Sequence, residues 1–202
     1  MQSPRRIRGY DRLWLLLALG WLASAAHAQT LSGSALVEAL QDGGYYIAMR
    51  HASSPRSEPD AASARPGNVD RERQLDEAGI ASAAAMGAAL RQLEIPVGET
   101  WSSPAFRALE TFEHLGLGEA ESFAQLDSGG RDTAWLLARV ATAPASGTNT
   151  IIVTHAPNLG DAFGDEASGM ADGEALILRP DGASASVVGR IAIEEWPALA
   201  ER

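Results

Sequence analysis

Two uninterrupted apolar runs in this chain each finish on a histidine: "YYIAM", from Tyr45, leads into Arg50-His51, and "TIIVT", from Thr150, leads into His155. Aliphatic runs without alternating polar residues belong to strands covered on both faces, as in the interior of a parallel sheet. In an open parallel sheet, ligands bind outside the carboxyl ends of the strands, at the point where strand order reverses. If the two strands are neighbours, His51 and His155 face one crevice.

The rest of the chain supplies the covering helices. Ser32 to Gln41 carries Leu36, Val37 and Leu40 at helical spacing and stops at Gly43-Gly44. Leu75 to Leu93 is Ala-rich and reads as the longest helix, with Leu75, Ala78, Met86, Leu90 and Leu93 as its expected buried positions. A short strand is predicted over 99–102, then a helix from Pro104 to Leu115, with Ser103 as N-cap and proline at the first position. Phe106, Leu109 and Phe112 are its expected apolar stripe. A further short strand is predicted over 122–126, a helix over 131–142 carrying Trp135, Leu136 and Val140, and a short helix opened by Pro157. Glu174 to Leu178 and Ser186 to Ile193 read as a closing pair of strands across Pro180-Asp181-Gly182. Ser53 to Asn68, rich in Ser, Pro, Ala and charge, reads as an exposed loop beside the first strand's end. Strands alternating with helices predict an α/β fold, a three-layer α/β/α sandwich with a mostly parallel central sheet.

The first 28 residues stand apart. Arg5, Arg6, Arg8 and Arg12 precede an apolar run from Leu13 to Ala26, and Ala26-His27-Ala28 is a small-x-small cleavage pattern. The run is short against the roughly 20 apolar residues of a membrane span. A cleaved secretory signal over 1–28 is the first reading, with periplasmic or secreted localisation and no stable membrane insertion after cleavage; an uncleaved N-terminal anchor is the second. Residues 29–202 then make one compact domain. The formal charge of the chain is −10, and removing four arginines with one aspartate makes the remainder more acidic still. That balance opposes binding to nucleic acid or to an anionic membrane surface. With no cysteine there is no disulfide, thiolate nucleophile or Cys-based metal site.

Three histidines remain past the leader: His51, His114 and His155. His51 and His155 end the two buried strands. The strand near 99–102 leads through "SSPAFRALET" into a helix whose first turn holds Arg107, so Arg50, His51, Arg107 and His155 converge from three loops on one sheet edge. Two guanidiniums offer planar, paired donors that match phosphate oxygens and stay charged at physiological pH. A nearby helix N-terminus adds N–H groups of the same preference.

Arg50-His51-Ala52, "SSPAFRALET" and "IIVTHAPNL", in this order, resemble the histidine phosphatase superfamily, in its branch of small phosphoglycerate-mutase-like phosphatases. The similarity runs from about Tyr45 to Trp196, and "ERQLDEAGIASAAAMGAAL" is similar to the stretch those proteins place on their first long helix after the Arg-His loop. The resemblance implies a phosphoglycerate mutase-like fold and a histidine phosphatase domain over 29–202. It implies His51 as the nucleophile that takes the phosphoryl group, Arg50 and Arg107 as phosphate-binding arginines, and His155 as the second pocket histidine. Catalysis then runs through a phosphohistidine that water hydrolyses, with no metal and no cofactor. The family usually has glycine where Ala52 stands, and alanine adds a methyl group there. A carboxyl group that protonates the leaving oxygen is also expected; Asp127 is the best placed, ahead of Glu119 and Glu121.

The expected activity is that of an exported phosphohydrolase acting on a small-molecule or envelope-linked phosphomonoester. A phosphohistidine phosphatase is the alternative within that class, and a noncatalytic anion-binding module the alternative outside it. His114 reads as structural, Ser54 as able to hydrogen-bond near the pocket although serines in such loops usually face water, and Arg73 either as reaching the pocket or as fixing the start of the long helix.

Overall fold

The computed structural model describes residues 30–56 and 72–201. The leader expected over 1–28 and most of the loop expected over 53–68 lie outside the described residues.

Six strands form one sheet: β1 (Tyr46–Arg50), β2 (Val97–Ser102), β3 (Glu121–Ser122), β4 (Asn149–Thr154), β5 (Ala175–Pro180) and β6 (Ala185–Ile191), in the order β3-β2-β4-β1-β5-β6. The pairs β3·β2, β2·β4 and β4·β1 are parallel, and β5 and β6 close one edge antiparallel. The helices are α1 (Gly33–Asp42), α2 (Glu77–Gln92), α3 (Phe106–Leu115), α4 (Thr133–Val140), α5 (Ala156–Phe163) and α6 (Glu195–Ala200). None of the described helices is long and apolar enough to cross a membrane.

Successive residues of β1 serve opposite faces, which is why the run is apolar throughout. Ile47 and Met49 join a core with Leu36 and Leu40 of α1, Met86 and Leu90 of α2, Phe112 of α3 and Trp196 of α6. Tyr46 and Ala48 join a second core with Leu136 and Val140 of α4 and Leu159 of α5. The three-layer sandwich follows from these two cores.

Helix α2 begins at an N-cap Asp76, whose side chain accepts from the Gly79 N–H. Its buried face differs from expectation: Ala78 is exposed, and the stripe is Gly79, Ala83, Met86, Gly87 and Leu90. Small residues at intervals of four let the helix lie against neighbouring backbone. A Cβ built on Gly79 would sit 2.2 Å from the Ser53 carbonyl oxygen, and one on Gly87 1.9 Å from that of Leu115. Glycine at these two positions thus brings α2 against the loop after β1 and against the end of α3.

Three further expectations are corrected. On α3, Leu109 points to solvent, while Arg107, Ala108, Thr111, Phe112 and Leu115 are buried. The strand expected over 122–126 stops at Ser122, because the chain turns through a 3-10 turn at Ala124–Leu126 that inserts Leu126 into the second core. Helix α6 was not anticipated, since "EWPALA" contains a proline; Pro197 lies in the first turn, where its missing N–H has no intrahelical acceptor to lose.

Candidate active site

The register of the parallel strands brings three chain segments to one edge. Arg50 lies opposite Thr154, and Ser102 opposite Val153. The pairing continues one residue past the strands, with His51 N–H donating to the Thr154 carbonyl (3.0 Å) and Ser103 N–H to that of Val153 (2.9 Å). His51, Ser103 and His155 therefore stand side by side. The switch in strand order falls between β1 and β4, from which the chain passes to β5 on the other side.

His51 is 3 % exposed. Its Nδ1 lies 2.8 Å from the Ala52 carbonyl oxygen, an acceptor only, so Nδ1 carries the proton and Nε2 holds the lone pair. Burial is the largest cause of a pKa lowered to about 3; the Ala52 hydrogen bond opposes it, and the charges of Arg107, Arg50 and Arg73 add to it. His51 is neutral at neutral pH. The Ala52 N–H donates to Thr111 Oγ1 (3.0 Å), and that hydroxyl donates to the Arg107 carbonyl (2.7 Å). One threonine thereby ties the loop after β1 to the first turn of α3. The Ala52 methyl is accommodated in the first core rather than in the cavity wall.

His155 is oriented by two partners. Arg107 Nη2 donates to its Nδ1 (3.0 Å), which places the ring proton on Nε2, 2.8 Å from Ser103 Oγ. Burial first, then Arg107, His51, Arg73 and Arg50, lower its pKa to about 2. The neutral ring makes no ion pair with Asp127, whose Oδ1 is 3.9 Å from Nε2. The two imidazole centroids are 5.4 Å apart with an interplanar angle of 65°. Ser103, expected as the N-cap of α3, sits just ahead of the helix start: its Oγ accepts from His155 Nε2–H and from the Ala105 N–H (3.2 Å), while the Phe106 N–H at the helix start donates to Glu72 Oε2 (2.6 Å).

Arg50 donates through Nη1 to the Met170 carbonyl (2.8 Å) and pairs through Nη2 with Asp172. Arg107 is 9 % exposed, and its Nε is buried with no partner among the described residues. An unpaired buried donor costs about 1–3 kcal/mol until a ligand accepts from it. Glu110, the natural helix partner for Arg107, accepts from the Leu75 N–H instead (2.6 Å).

Arg50, His51, Arg107 and His155 line one cavity of about 420 Å³, as the sequence places them. Arg73 also reaches it, with Arg56, Ser128, Ala156 and Pro157. Asp127 does not line it: its Oδ1 accepts from the Ser128 N–H (2.7 Å), and the adjacent Ser128 faces the cavity in its place. Glu121 lies exposed on edge strand β3, and exposed Glu119 lies just before it. Ser54, expected to face water, is buried and donates to the Gln74 carbonyl (2.8 Å). Sequence reasoning missed Arg56 and Ser128; the available signal for Arg56 was its place five residues past His51 on the loop leaving β1. Among the described residues no group of three or more His, Asp or Glu side chains is placed to hold a metal ion.

No protein-family description matches the chain, and no curated protein matches it. Solved structures do match in fold. The protein histidine phosphatase SixA complexed with tungstate is 17 % identical, with a TM-score of 0.60, over 75 % of this chain and 98 % of that one. Phosphoglycerate mutase from Bacillus anthracis is 10 % identical, with a TM-score of 0.51, over 81 % and 100 % of the two chains. A phosphoserine phosphatase variant from Entamoeba histolytica, in complex with phosphoserine, is 12 % identical, with a TM-score of 0.50, over 74 % and 98 %. With two parallel strands delivering His51 and His155 to one edge, the chain has the phosphoglycerate mutase-like fold that these histidine phosphatase superfamily proteins share.

Proposed function

We propose that the protein is a phosphohydrolase that cleaves a phosphomonoester through a phosphohistidine on His51. The observation that carries this reading is the state of His51: buried and neutral, with Nδ1–H held by the Ala52 carbonyl, in a cavity walled by arginines. An imidazole in that tautomer has its lone pair on Nε2, the atom required for attack.

Nε2 attacks phosphorus as the bond to the leaving oxygen breaks, and Nδ1 keeps its proton on Ala52. Water then attacks phosphorus, the P–N bond breaks, and neutral imidazole and inorganic phosphate are released. Arg50 and Arg107 hold the equatorial oxygens and offset their charge; the unpaired Arg107 Nε is a donor such an oxygen satisfies. His155 positions Arg107 through its Nδ1. Asp127 is the carboxyl group assigned to protonate the leaving oxygen. Its place outside the cavity wall favours a second reading, a phosphohistidine phosphatase, because a phosphoramidate leaving group depends less on an acid; the likeness to SixA supports the same reading. We also propose export with cleavage after Ala28, checked by the mass of the protein recovered from the producing cell.

The decisive experiment is hydrolysis of an aryl phosphate by the purified protein in the presence of a chelator, with quenching during turnover. Expected are activity without added metal and an acid-labile, base-stable phosphate adduct on His51 that His51→Ala abolishes. Turnover that needs Mg²⁺ or Zn²⁺, or label on His155, would overturn the mechanism. A fully folded protein that binds phosphate and turns nothing over is the noncatalytic module.

A further inference from the structure

The cavity holds more positive charge than one phosphoryl group engages. Four guanidiniums line it: Arg50, Arg56, Arg73 and Arg107. Arg50 is paired with Asp172, while Glu72 and Asp127 lie near enough to Arg107 to offset its charge. Arg56 and Arg73 make no ion pair among the described residues. Among the described residues Asp172, already paired with Arg50, is the carboxylate that acts on Arg73.

Arg73 is held in place rather than free to swing away. Its Nε donates to the Pro55 carbonyl (2.7 Å) and its Nη2 to that of Ser54 (2.8 Å), while Nη1 has no hydrogen bond among the described residues. These bonds fix Arg73 to the loop that carries Arg56, and the two like charges are held together. Burial first, then Arg56, lower the pKa of Arg73; burial first, then Arg73, lower that of Arg107. The four cations thus repel one another in a chain whose formal charge is −10, so the cluster is a local exception and not a reflection of composition. Unpaired like charges around a cavity are relieved by anions. The volume of about 420 Å³ falls within the roughly 300–1,000 Å³ of small-molecule sites, which leaves space beyond a phosphoryl group.

We infer that Arg56 and Arg73 form a second anion subsite beside the phosphoryl position, and that the substrate is a phosphate ester whose leaving group carries its own anionic group, a carboxylate or a second phosphate. This rests on the phosphohydrolase reading for its substrate and on the arginine geometry alone for its binding.

The test compares kcat/KM for nitrophenyl phosphate with that for aryl phosphates bearing a ring carboxylate or a second phosphate, and calorimetric affinities for phosphate and pyrophosphate. Expected is a preference of roughly tenfold for a doubly anionic ester and for pyrophosphate, the worth of one charge-assisted hydrogen bond. Arg56→Gln, at an exposed residue with no hydrogen bond in the described structure, should bring both ratios toward one. Arg179→Gln removes the same charge from the opposite end of the sheet, where β5 runs antiparallel past the start of β1, and should leave both ratios unchanged. The ester preferred identifies the second group. Ratios near one in the unsubstituted protein, or ratios that survive Arg56→Gln, overturn the subsite. No turnover of any ester, with an Arg56-dependent preference for pyrophosphate intact, would overturn the hydrolase reading and leave the subsite standing.

Discussion

Lowering the pH of the ligand-free protein from 7 to 5 should destabilise it far more than surface carboxylates account for, because two neutral histidines are buried at the active site. Burial and the surrounding arginines hold His51 at about 3 and His155 at about 2, against an ordinary value of about 6.5 in the unfolded chain. The folded state therefore binds fewer protons than the unfolded state. The stability this confers is complete above about pH 6.5 and is lost as the pH falls toward the folded values. Each histidine gives up about 1.4 kcal/mol per pH unit below 6.5, so about 2 kcal/mol by pH 5, and the pair about 4 kcal/mol. That is a large share of the 5–15 kcal/mol typical of a domain. Urea unfolding followed by tryptophan fluorescence at pH 7, 6 and 5 measures it, with the double variant His51→Asn/His155→Asn as reference. Asp76, Glu174 and Asp181, whose pKa values hydrogen bonds lower, do not intrude, since ordinary carboxylates protonate only below about pH 4.5. The wild-type curve should fall steeply and that of the variant should stay nearly flat; parallel curves would refute the buried neutral pair. Saturating phosphate should flatten the wild-type slope, since a bound anion favours the charged imidazoles. Because burial holds His51 at about 3 in the free protein, kcat/KM should show no acid limb at pH 6.5 from His51.

Three substitutions test other parts of the site. Thr111→Val should cost about 1–3 kcal/mol and raise KM, because it leaves the buried Ala52 N–H unpaired and unties Arg107, whereas Thr111→Ser should retain both hydrogen bonds; unfolding and kinetics on the same samples check this. Gly87→Ala should destabilise by roughly 1–3 kcal/mol or more, since its Cβ would meet the Leu115 carbonyl at 1.9 Å, and thermal unfolding reads the loss. Asp127→Asn should slow alkyl phosphates strongly and aryl phosphates little, as their leaving oxygens need little protonation; equal, small effects on both would return Asp127 to a structural role, capping its own loop through Ser128.

How much of the site was legible follows from how each residue is specified. Arg50, His51 and His155 could be placed because each directly ends a buried strand, and a strand's end is visible in the sequence. Arg107 could be placed because it lies one turn into a helix that a strand feeds directly. Ser128 carries no such signal, and for Arg56 and Arg73 sequence position gives only nearness to the strand end, because each sits in a loop whose direction depends on what it packs against. Ser103 shows the same limit from the other side: its hydroxyl accepts from the Ala105 N–H ahead of the helix, as local preference predicts, but its bond to His155, 52 residues away at 2.8 Å, has no local signal. Glu72 then meets the helix start from a segment 34 residues earlier in the chain.

By itself the sequence determined the α/β class, the two buried strands that run up to His51 and His155, the longest helix and the histidines at the strand ends, because apolar runs and helical periodicity are local properties of the chain. Tertiary structure decided that β1 and β4 are neighbours in a register that aligns His51, Ser103 and His155, for strand pairing joins distant segments and leaves no local trace. It also decided which face of α2 is buried: alanines occur all round that helix, and only contact with the Ser53 and Leu115 backbones selects the side carrying Gly79 and Gly87. The charge state of the two histidines belongs to the tertiary structure as well, since desolvation and a ring of arginines exist only once the chain has closed around them.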